Sequence, residues 1–92
     1  MQNIVDRLLS RLKLRYLVLV LQISRQGSLT RAAEALGFSQ PAASKALKEL
    51  EDIFGASLFV RSGTGLVPTP LGELALRRAR STEALYDLSM AL

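Results

Sequence analysis

The chain has 92 residues, 49% of them hydrophobic, which suits one small domain whose core is marginal without a partner subunit. It contains neither cysteine nor histidine, which excludes disulfides, thiolate or imidazole metal sites and histidine-dependent catalysis. Its acids are scattered rather than paired, so we expect no enzyme activity, no metal and no cofactor. Cysteine-free composition also suits a reducing, cytoplasmic location.

The net charge of +4 is distributed unevenly along the chain. Residues 7–48 carry eight basic residues and a single acid, Glu34, whereas residues 49–92 carry four basic residues and six acids. Such a basic half indicates a surface that binds a polyanion, although a solvated helix face would give a similar run of charges.

Helices are predicted for the first part of the chain. Residues 1–12 have an amphipathic pattern, for which burial against the domain is favoured over a membrane-surface role. The apolar side of this pattern consists of Ile4, Val5, Leu8, Leu9 and Leu12. The apolar run in residues 16–23 is too short to span a bilayer. The length of the segment 14–26 and its Arg-Gln-Gly ending favour a helix over a buried strand.

Two shorter helices joined by a tight turn come next. Ser28 is predicted to cap a helix over LTRAAEAL, and Gly37 is predicted to end it in a left-handed conformation. Ser39 is predicted to cap a further helix over residues 40–54, with Pro41 in the first turn. Two helices joined by a short turn that contains glycine are typical of a helix-turn-helix.

The third helix has two chemically different sides. At about 100° per residue, one arc is apolar and is predicted to face the core. This arc consists of Ala43, Ala46, Leu47, Leu50, Ile53 and Phe54. The first turns carry Gln40, Ser44, Lys45 and Lys48 on the other side, and acids appear only from Glu49 onward. Because this order opposes the helix-dipole preference, we expect an external anion such as a phosphate backbone to face the first turns.

A hairpin and a long helix complete the chain. The runs LFVR (58–61) and LVP (66–68) flank SGTG, a pattern that is typical of a β-hairpin. Thr69 and Pro70 are strong start signals for a last helix over about residues 70–90. No later segment covers the apolar stripe of this helix, which predicts dimerisation. The stripe consists of Leu71, Leu74, Ala75, Leu85, Leu88 and Leu92. The residues predicted to form the dimer are Leu71, Leu74, Leu85 and Leu88.

The order of elements predicts a mainly α fold. It is a winged helix-turn-helix, with a three-helix core and a β-hairpin wing, followed by a long C-terminal linker helix for dimerisation. We expect an N-terminal helical extension at residues 1–11, the winged helix-turn-helix at 12–68 and the linker helix at 69–92.

Three segments of the sequence carry a family resemblance: GSLTRAAEALGFSQPAASKALKELE, LFVR and LVPTPLGE. Together they closely resemble the DNA-binding domain of LysR-type transcriptional regulators, over residues 12–90. The extension with RLKLRYL is similar to the branch that includes regulators of protocatechuate catabolism and of galactose-binding genes.

The resemblance implies a bacterial, cytoplasmic regulator that acts on the nucleoid. It implies binding of double-stranded DNA at a dyad operator as a homodimer, with the third helix in the major groove and the wing along the adjacent backbone or minor groove. It also implies a homotetramer in the full-length protein and no membrane association. A small-molecule effector is expected to bind only a C-terminal domain that this chain lacks.

The resemblance also implies roles for individual residues. Base reading is implied for Ser39, Gln40, Pro41, Ser44 and Lys45. Phosphate or wing contacts are implied for Ser28, Thr30, Arg31, Lys48 and Arg61. The sequence departs from the family at the wing tip, which reads SGTG where relatives often carry arginine, and at Val60, where an acid is common. Lys45 stands where arginine is frequent, which weakens bidentate recognition of guanine.

Two alternatives remain open at this stage. The first is a winged-helix DNA-binding domain of another family, such as the molybdate-responsive regulators. The second is a winged helix that serves as a protein-interaction module, which would not need the excess of positive charge in residues 7–48.

Overall fold

The computed structural model describes the backbone of residues 2–91 and the side chains of residues 14–81. The elements are α1 (Gln2–Gln26), α2 (Leu29–Leu36), α3 (Gln40–Phe54), β1 (Phe59–Ser62), β2 (Gly65–Pro68) and α4 (Pro70–Ala91). Three helices, an antiparallel two-stranded hairpin and a long last helix form a mainly α winged helix-turn-helix. The predicted fold class is confirmed.

The first helix runs without a break from Gln2 to Gln26 and packs against α2, α3 and α4. The segment 14–26 is therefore a helix and not a buried strand. Its buried side chains are Leu19, Val20, Leu21 and Ile23. The side chains of residues 2–13, which include the predicted apolar side of the extension, lie outside the described residues. Across the described part of the chain, no helix has the length and apolar character needed to cross a membrane.

The helix-turn-helix is built from local signals and small residues. Ser28 caps α2 by accepting a hydrogen bond from the Arg31 N–H at 3.2 Å. Gly37 ends α2 with φ 71°, in the left-handed region that glycine adopts without steric cost. The two helices then pack through alanines, of which Ala33 and Ala43 are at most 2% exposed. These small side chains let α2 and α3 approach closely.

The last turn of α3 differs from the sequence prediction. Ala43 is fully buried, and Ala46, Leu47 and Leu50 pack against the core, as the apolar arc predicts. Ile53 is 73% exposed and Phe54 is 47% exposed, so the prediction that they face the core is wrong. A helical projection assumes that one neighbour covers a helix along its whole length. Here the core covers only the first three turns of α3 within the described residues.

The wing is a short hairpin tied to the end of α1. The register pairs Phe59 with Pro68 and Ser62 with Gly65, which leaves the residues Gly-Thr at the tip. In β2, the Leu66 N–H donates a hydrogen bond to the Gly27 carbonyl oxygen at 3.0 Å. A Cβ at Gly65 would lie 2.5 Å from that oxygen, so only glycine permits this close approach.

Candidate nucleic-acid interface

The start of α3 presents its polar side chains to solvent. Ser39 is the N-cap, and its Oγ accepts a hydrogen bond from the Ala42 N–H at 3.2 Å. Pro41 lies in the first turn, where its missing N–H costs no hydrogen bond. The five side chains predicted to read bases are all exposed on this end of the helix. They are Ser39, Gln40, Pro41, Ser44 and Lys45.

Burial of the opposite side fixes which way these groups face. Ala43 is fully buried, and Leu47 packs against the core one turn later. Because side chains that are about half a turn apart point in opposite directions, Lys45 and Lys48 project outward. Gln40 and Ser44 lie on the flank of α3 that also carries Glu51, whose carboxylate accepts a hydrogen bond from the Leu58 N–H just before the wing. The amide, hydroxyl and ammonium groups therefore share one accessible end of α3.

The two lysines give this end of α3 a positive potential. Lys45 and Lys48 are exposed, and neither forms an ion pair with a carboxylate among the described side chains. The first turn of α3 contains no acid. Unpaired ammonium groups beside a helix N-terminus attract polyanions, and an amide and a hydroxyl next to them can hydrogen-bond base edges.

The start of α2 provides a second group of candidates. Ser28 is half-buried and its hydroxyl caps the helix, so its first role is structural. Thr30 and Arg31 are exposed, whereas the next two residues are buried alanines. Arg31 is thus a cation on the outer side of α2, which suits a phosphate contact.

The wing contributes one cation. Arg61 is exposed, in the strand position opposite Leu66. Because side chains alternate along a strand, Arg61 lies on the same face of the hairpin as the buried Phe59. The Arg61 side chain therefore extends from the face of the hairpin that packs on the core, past the edge of the core, and not from the outer face that carries Val60.

Two acids in the second half of α3 have partners within the domain. Glu49 Oε2 accepts a hydrogen bond from the Tyr16 hydroxyl at 2.9 Å. Glu51 Oε2 accepts one from the Leu58 N–H at 2.6 Å. The hydrogen bond to Glu49, together with burial and the negative charge, raises the pKa of Tyr16 above its usual value. The order of charges along α3 is therefore stabilised partly from inside the domain, which the sequence alone did not indicate.

The predicted dimerisation residues are only partly described. Leu71 is half-buried and packs against the core, whereas Leu74 is 47% exposed. Leu85 and Leu88 lie outside the residues whose side chains the structure describes. Leu74 borders an apolar groove of about 480 Å³ between α1, the end of α3 and α4. The exposed Ile53 and Phe54 line the same groove.

Several contacts around the site were not predicted from the sequence. The Arg15 guanidinium carbon lies 5.0 Å from the centroid of the Phe38 ring, in the turn before α3. The Tyr16–Glu49 and Glu51–Leu58 hydrogen bonds likewise join different elements. No spacing pattern in the sequence indicates these pairs, because each depends on how two elements pack.

Comparison with known proteins places this arrangement in a family. The family model described as "Bacterial regulatory helix-turn-helix protein, lysR family" matches residues 14–73, from the apolar part of α1 to the first turn of α4. The chain belongs to the lysR family. The family predicted from the sequence is confirmed, which sets aside the molybdate-responsive regulators as an alternative.

Relatives from this family are similar over most of the chain. The transcriptional regulator TdcA of Escherichia coli (strain K12) is 45% identical over 69 residues, which cover 75% of this chain and 22% of TdcA. The regulator PcaQ of Agrobacterium fabrum is 46% identical over 72 residues, which cover 78% of this chain and 23% of PcaQ. The chain thus spans less than a quarter of the length of these relatives. Such closely matched identities do not separate one branch of the LysR family from another.

A solved LysR-family DNA-binding domain has the same fold. The BenM DNA-binding domain, in a crystal structure with catB site 1 DNA, is 27% identical with a TM-score of 0.77. The alignment covers 85% of this chain and 88% of that one. The winged helix-turn-helix fold is therefore shared with a domain whose crystal structure contains DNA.

Proposed function

We propose that this chain is the sequence-specific DNA-binding part of a LysR-type transcriptional regulator. It binds a dyad operator in double-stranded DNA, with α3 in the major groove and the wing along the adjacent backbone. Ser39, Gln40, Pro41, Ser44 and Lys45 read base edges. The phosphate contacts come from Ser28, Thr30, Arg31, Lys48 and Arg61.

One observation carries this proposal: the start of α3 is exposed, polar and basic, while its opposite side is buried. A helix is about 10–12 Å wide, which matches the major groove of B-DNA at about 12 Å. Gln40 has the amide geometry that pairs with adenine, and Ser44 has a hydroxyl that serves either base. Lys48 supplies charge that holds the helix against the phosphates, and Lys45 places a further ammonium group beside the base edges.

We further propose that the functional unit is a homodimer. The apolar groove beside Leu74 is open to solvent, and Phe54 in its wall is 47% exposed. A second copy is its occupant, because the groove borders α4, the helix for which the sequence predicts dimerisation. The groove lies at the far end of α3, about 20 Å along the helix from Gln40. The second copy would therefore leave the DNA-facing end of α3 free.

A dimer suits a dyad operator geometrically. Two copies related by a twofold axis present two α3 helices to half-sites about 34 Å apart, or at a multiple of one DNA turn. Relatives are more than four times as long as the matched region. Effector binding and homotetramer formation are thus proposed for a further domain of a longer protein, which acts in the cytoplasm on the nucleoid.

The test is selection from a pool of random duplexes of about 40 base pairs, followed by titration of the enriched sequences. Sequence-specific binding predicts an enriched dyad and an affinity at least about a thousandfold above that for random duplex. It also predicts a steep fall in affinity with salt, with a slope of about −0.9 for each phosphate contact. If no duplex is enriched and the affinity for DNA does not depend on salt, while the chain binds other proteins, the protein-interaction alternative is supported.

A further inference from the structure

Arg15 belongs to α1, but its side chain lies beside the start of α3. Its guanidinium carbon lies 5.0 Å from the centroid of the Phe38 ring, and Phe38 is the middle residue of the turn between α2 and α3. Phe38 is half-buried and packs against the core, so the ring is a fixed platform. A cation over an aromatic face is attracted to it even at an exposed site.

The charge of Arg15 has no neutralising partner among the side chains of residues 14–81. The side chain is exposed, and no described carboxylate forms an ion pair with it. The guanidinium carries five N–H donors, and no described residue accepts a hydrogen bond from them. Arg15 is therefore a cation held against a ring, with donors that no residue in the described range 14–81 occupies.

A small cleft separates Arg15 from α3. It has a volume of about 170 Å³ and is lined by Arg15, Tyr16, Phe38, Ala42 and Ala46. The alanines leave this flank of α3 open, about a quarter turn from the outward side that carries Lys45. When a helix fills the major groove, the sugar-phosphate strands run along both of its flanks. The cleft is the place where one strand would pass.

We infer that Arg15 is a further DNA-contact residue, which binds a backbone phosphate on the α1 side of α3. This inference rests on the proposed function and adds a contact opposite to the wing side. The contact with Phe38 pre-orders the guanidinium, so less side-chain entropy is lost when the phosphate binds. Because a phosphate is common to every sequence, Arg15 contributes to affinity and not to base preference.

The experiment compares four variants of the full chain on the selected duplex and on random duplex at several salt concentrations. Arg15→Gln removes the charge, and Arg80→Gln is the matched control on an exposed position of α4. Phe38→Leu removes the aromatic platform but keeps an apolar residue in the turn. Circular dichroism melts establish that each variant is folded. Arg15→Lys keeps the charge and loses the forked donors, and it is compared with the wild type alone if Arg15→Gln melts early.

We expect Arg15→Gln to weaken binding of both duplexes by a similar factor of about tenfold. The salt slope should fall by about 0.9 per copy, hence by about two in a dimer. Phe38→Leu should weaken binding by a smaller factor and keep the wild-type slope, and Arg15→Lys should lie between wild type and Arg15→Gln. Arg80→Gln should match the wild type.

Two outcomes would overturn the inference. In the first, Arg15→Gln and Arg80→Gln have equal affinities and equal salt slopes. In the second, Arg15→Gln changes base preference, which would assign Arg15 to a base edge. Failure of the wild-type chain to bind any duplex is a different result, because it would reject the proposed function itself.

Discussion

Glu51 accepts a hydrogen bond from the backbone N–H of Leu58, and the two atoms lie 2.6 Å apart. The same segment is held from the other side by Thr69, whose N–H donates to the Leu58 carbonyl oxygen at 2.9 Å. The Thr69 hydroxyl donates to the Ser57 carbonyl oxygen at 2.8 Å. The chain that leads into the wing is thus bonded to both α3 and the start of α4.

A glycine in α4 allows the start of this helix to approach the Leu58 backbone closely. Thr69 Oγ1 also accepts a hydrogen bond from the Gly72 N–H at 3.0 Å, which caps α4. A Cβ at Gly72 would collide with the Leu58 carbonyl oxygen. The close approach of α4 to the segment at Leu58 therefore requires glycine at position 72.

We predict that Glu51→Ala lowers the free energy of unfolding by about 1.5–3 kcal/mol, the usual contribution of a hydrogen bond to a charged group. Glu51→Gln should retain most of the stability, because its amide oxygen still accepts from Leu58. Asp52→Ala is the matched control, since Asp52 is exposed. The melting temperature of Glu51→Ala should lie several degrees below that of Asp52→Ala. Equal melting temperatures would contradict a stabilising hydrogen bond between Glu51 and Leu58.

The Tyr16–Glu49 hydrogen bond should also be measurable. We expect Tyr16→Phe to lower the free energy of unfolding by about 0.5–1.5 kcal/mol at neutral pH, because the ring is kept and only the hydroxyl is lost. Urea unfolding of the wild type and the variant gives this difference. Glu49→Gln is the companion variant, because its amide oxygen still accepts but its negative charge is gone.

The contribution of Tyr16 should depend on pH in one direction. The pKa of Tyr16 is raised in the folded protein, first by the hydrogen bond to Glu49 and then by burial and charge. Its stabilising effect is therefore complete below the unfolded value of about 10 and is lost as the pH rises through the folded pKa. The gap between wild type and Tyr16→Phe should narrow above that pH. A gap of constant size would argue against the bond.

Leu58 and Ile53 provide a test of the packing. Leu58 is fully buried, so Leu58→Ala should cost about 2–5 kcal/mol, enough to unfold much of so small a domain. Ile53 is 73% exposed, so Ile53→Ala should change the stability of the monomer by less than about 0.5 kcal/mol. Unfolding at low protein concentration measures both. If Ile53→Ala lowers the free energy of unfolding of the monomer by more than about 1 kcal/mol, Ile53 is buried as the sequence predicted.

Base reading and phosphate binding should separate on α3. Gln40→Ala should cost about 1–3 kcal/mol on the selected duplex and flatten the preference at one base pair in each half-site. Lys48→Ala should weaken selected and random duplexes alike and lower the salt slope by about two in a dimer. Titration of single-base variants at several salt concentrations distinguishes them. If Gln40→Ala weakens all duplexes equally and Lys48→Ala changes base preference, Gln40 binds phosphate and Lys48 reads a base.

Dimerisation should depend on Leu74. We expect Leu74→Lys to weaken self-association by about tenfold or more, because each copy loses an apolar contact and gains a charge in the groove. Glu73→Lys is the matched control, since it introduces the same residue at the neighbouring exposed position outside the groove. Sedimentation equilibrium measures both. If the two variants associate equally, the groove is not the dimer interface.

The sequence predicted the parts of the fold that have local causes. Ser28 and Ser39 are side-chain caps, and Gly37 and Gly55 take left-handed conformations, so the bounds of α2 and α3 are visible in the sequence. The first strand begins at Phe59, one residue later than the predicted run, and Leu58 is buried in the core just before it.

Contacts between distant elements were not predictable in the same way. Tyr16 and Glu49 are 33 positions apart, and their meeting depends on the angle at which α1 crosses α3. Arg15 reaches Phe38 for the same reason. The candidate base-reading residues could be named from the sequence because helix periodicity and a family resemblance place them on one side of α3. The neighbouring residues that orient α3 could not be named, because they depend on tertiary packing.

The size of the wing limits how much DNA the protein shields. Each strand has four residues, so the hairpin extends about 13 Å. Its tip is Gly-Thr, without charge, and Arg61 is the sole cation between residues 59 and 68. A narrow minor groove concentrates negative potential and attracts inserted arginines, which this tip lacks. Hydroxyl-radical cleavage should therefore be suppressed in two compact windows beneath the α3 helices, with little protection of the flanking minor grooves.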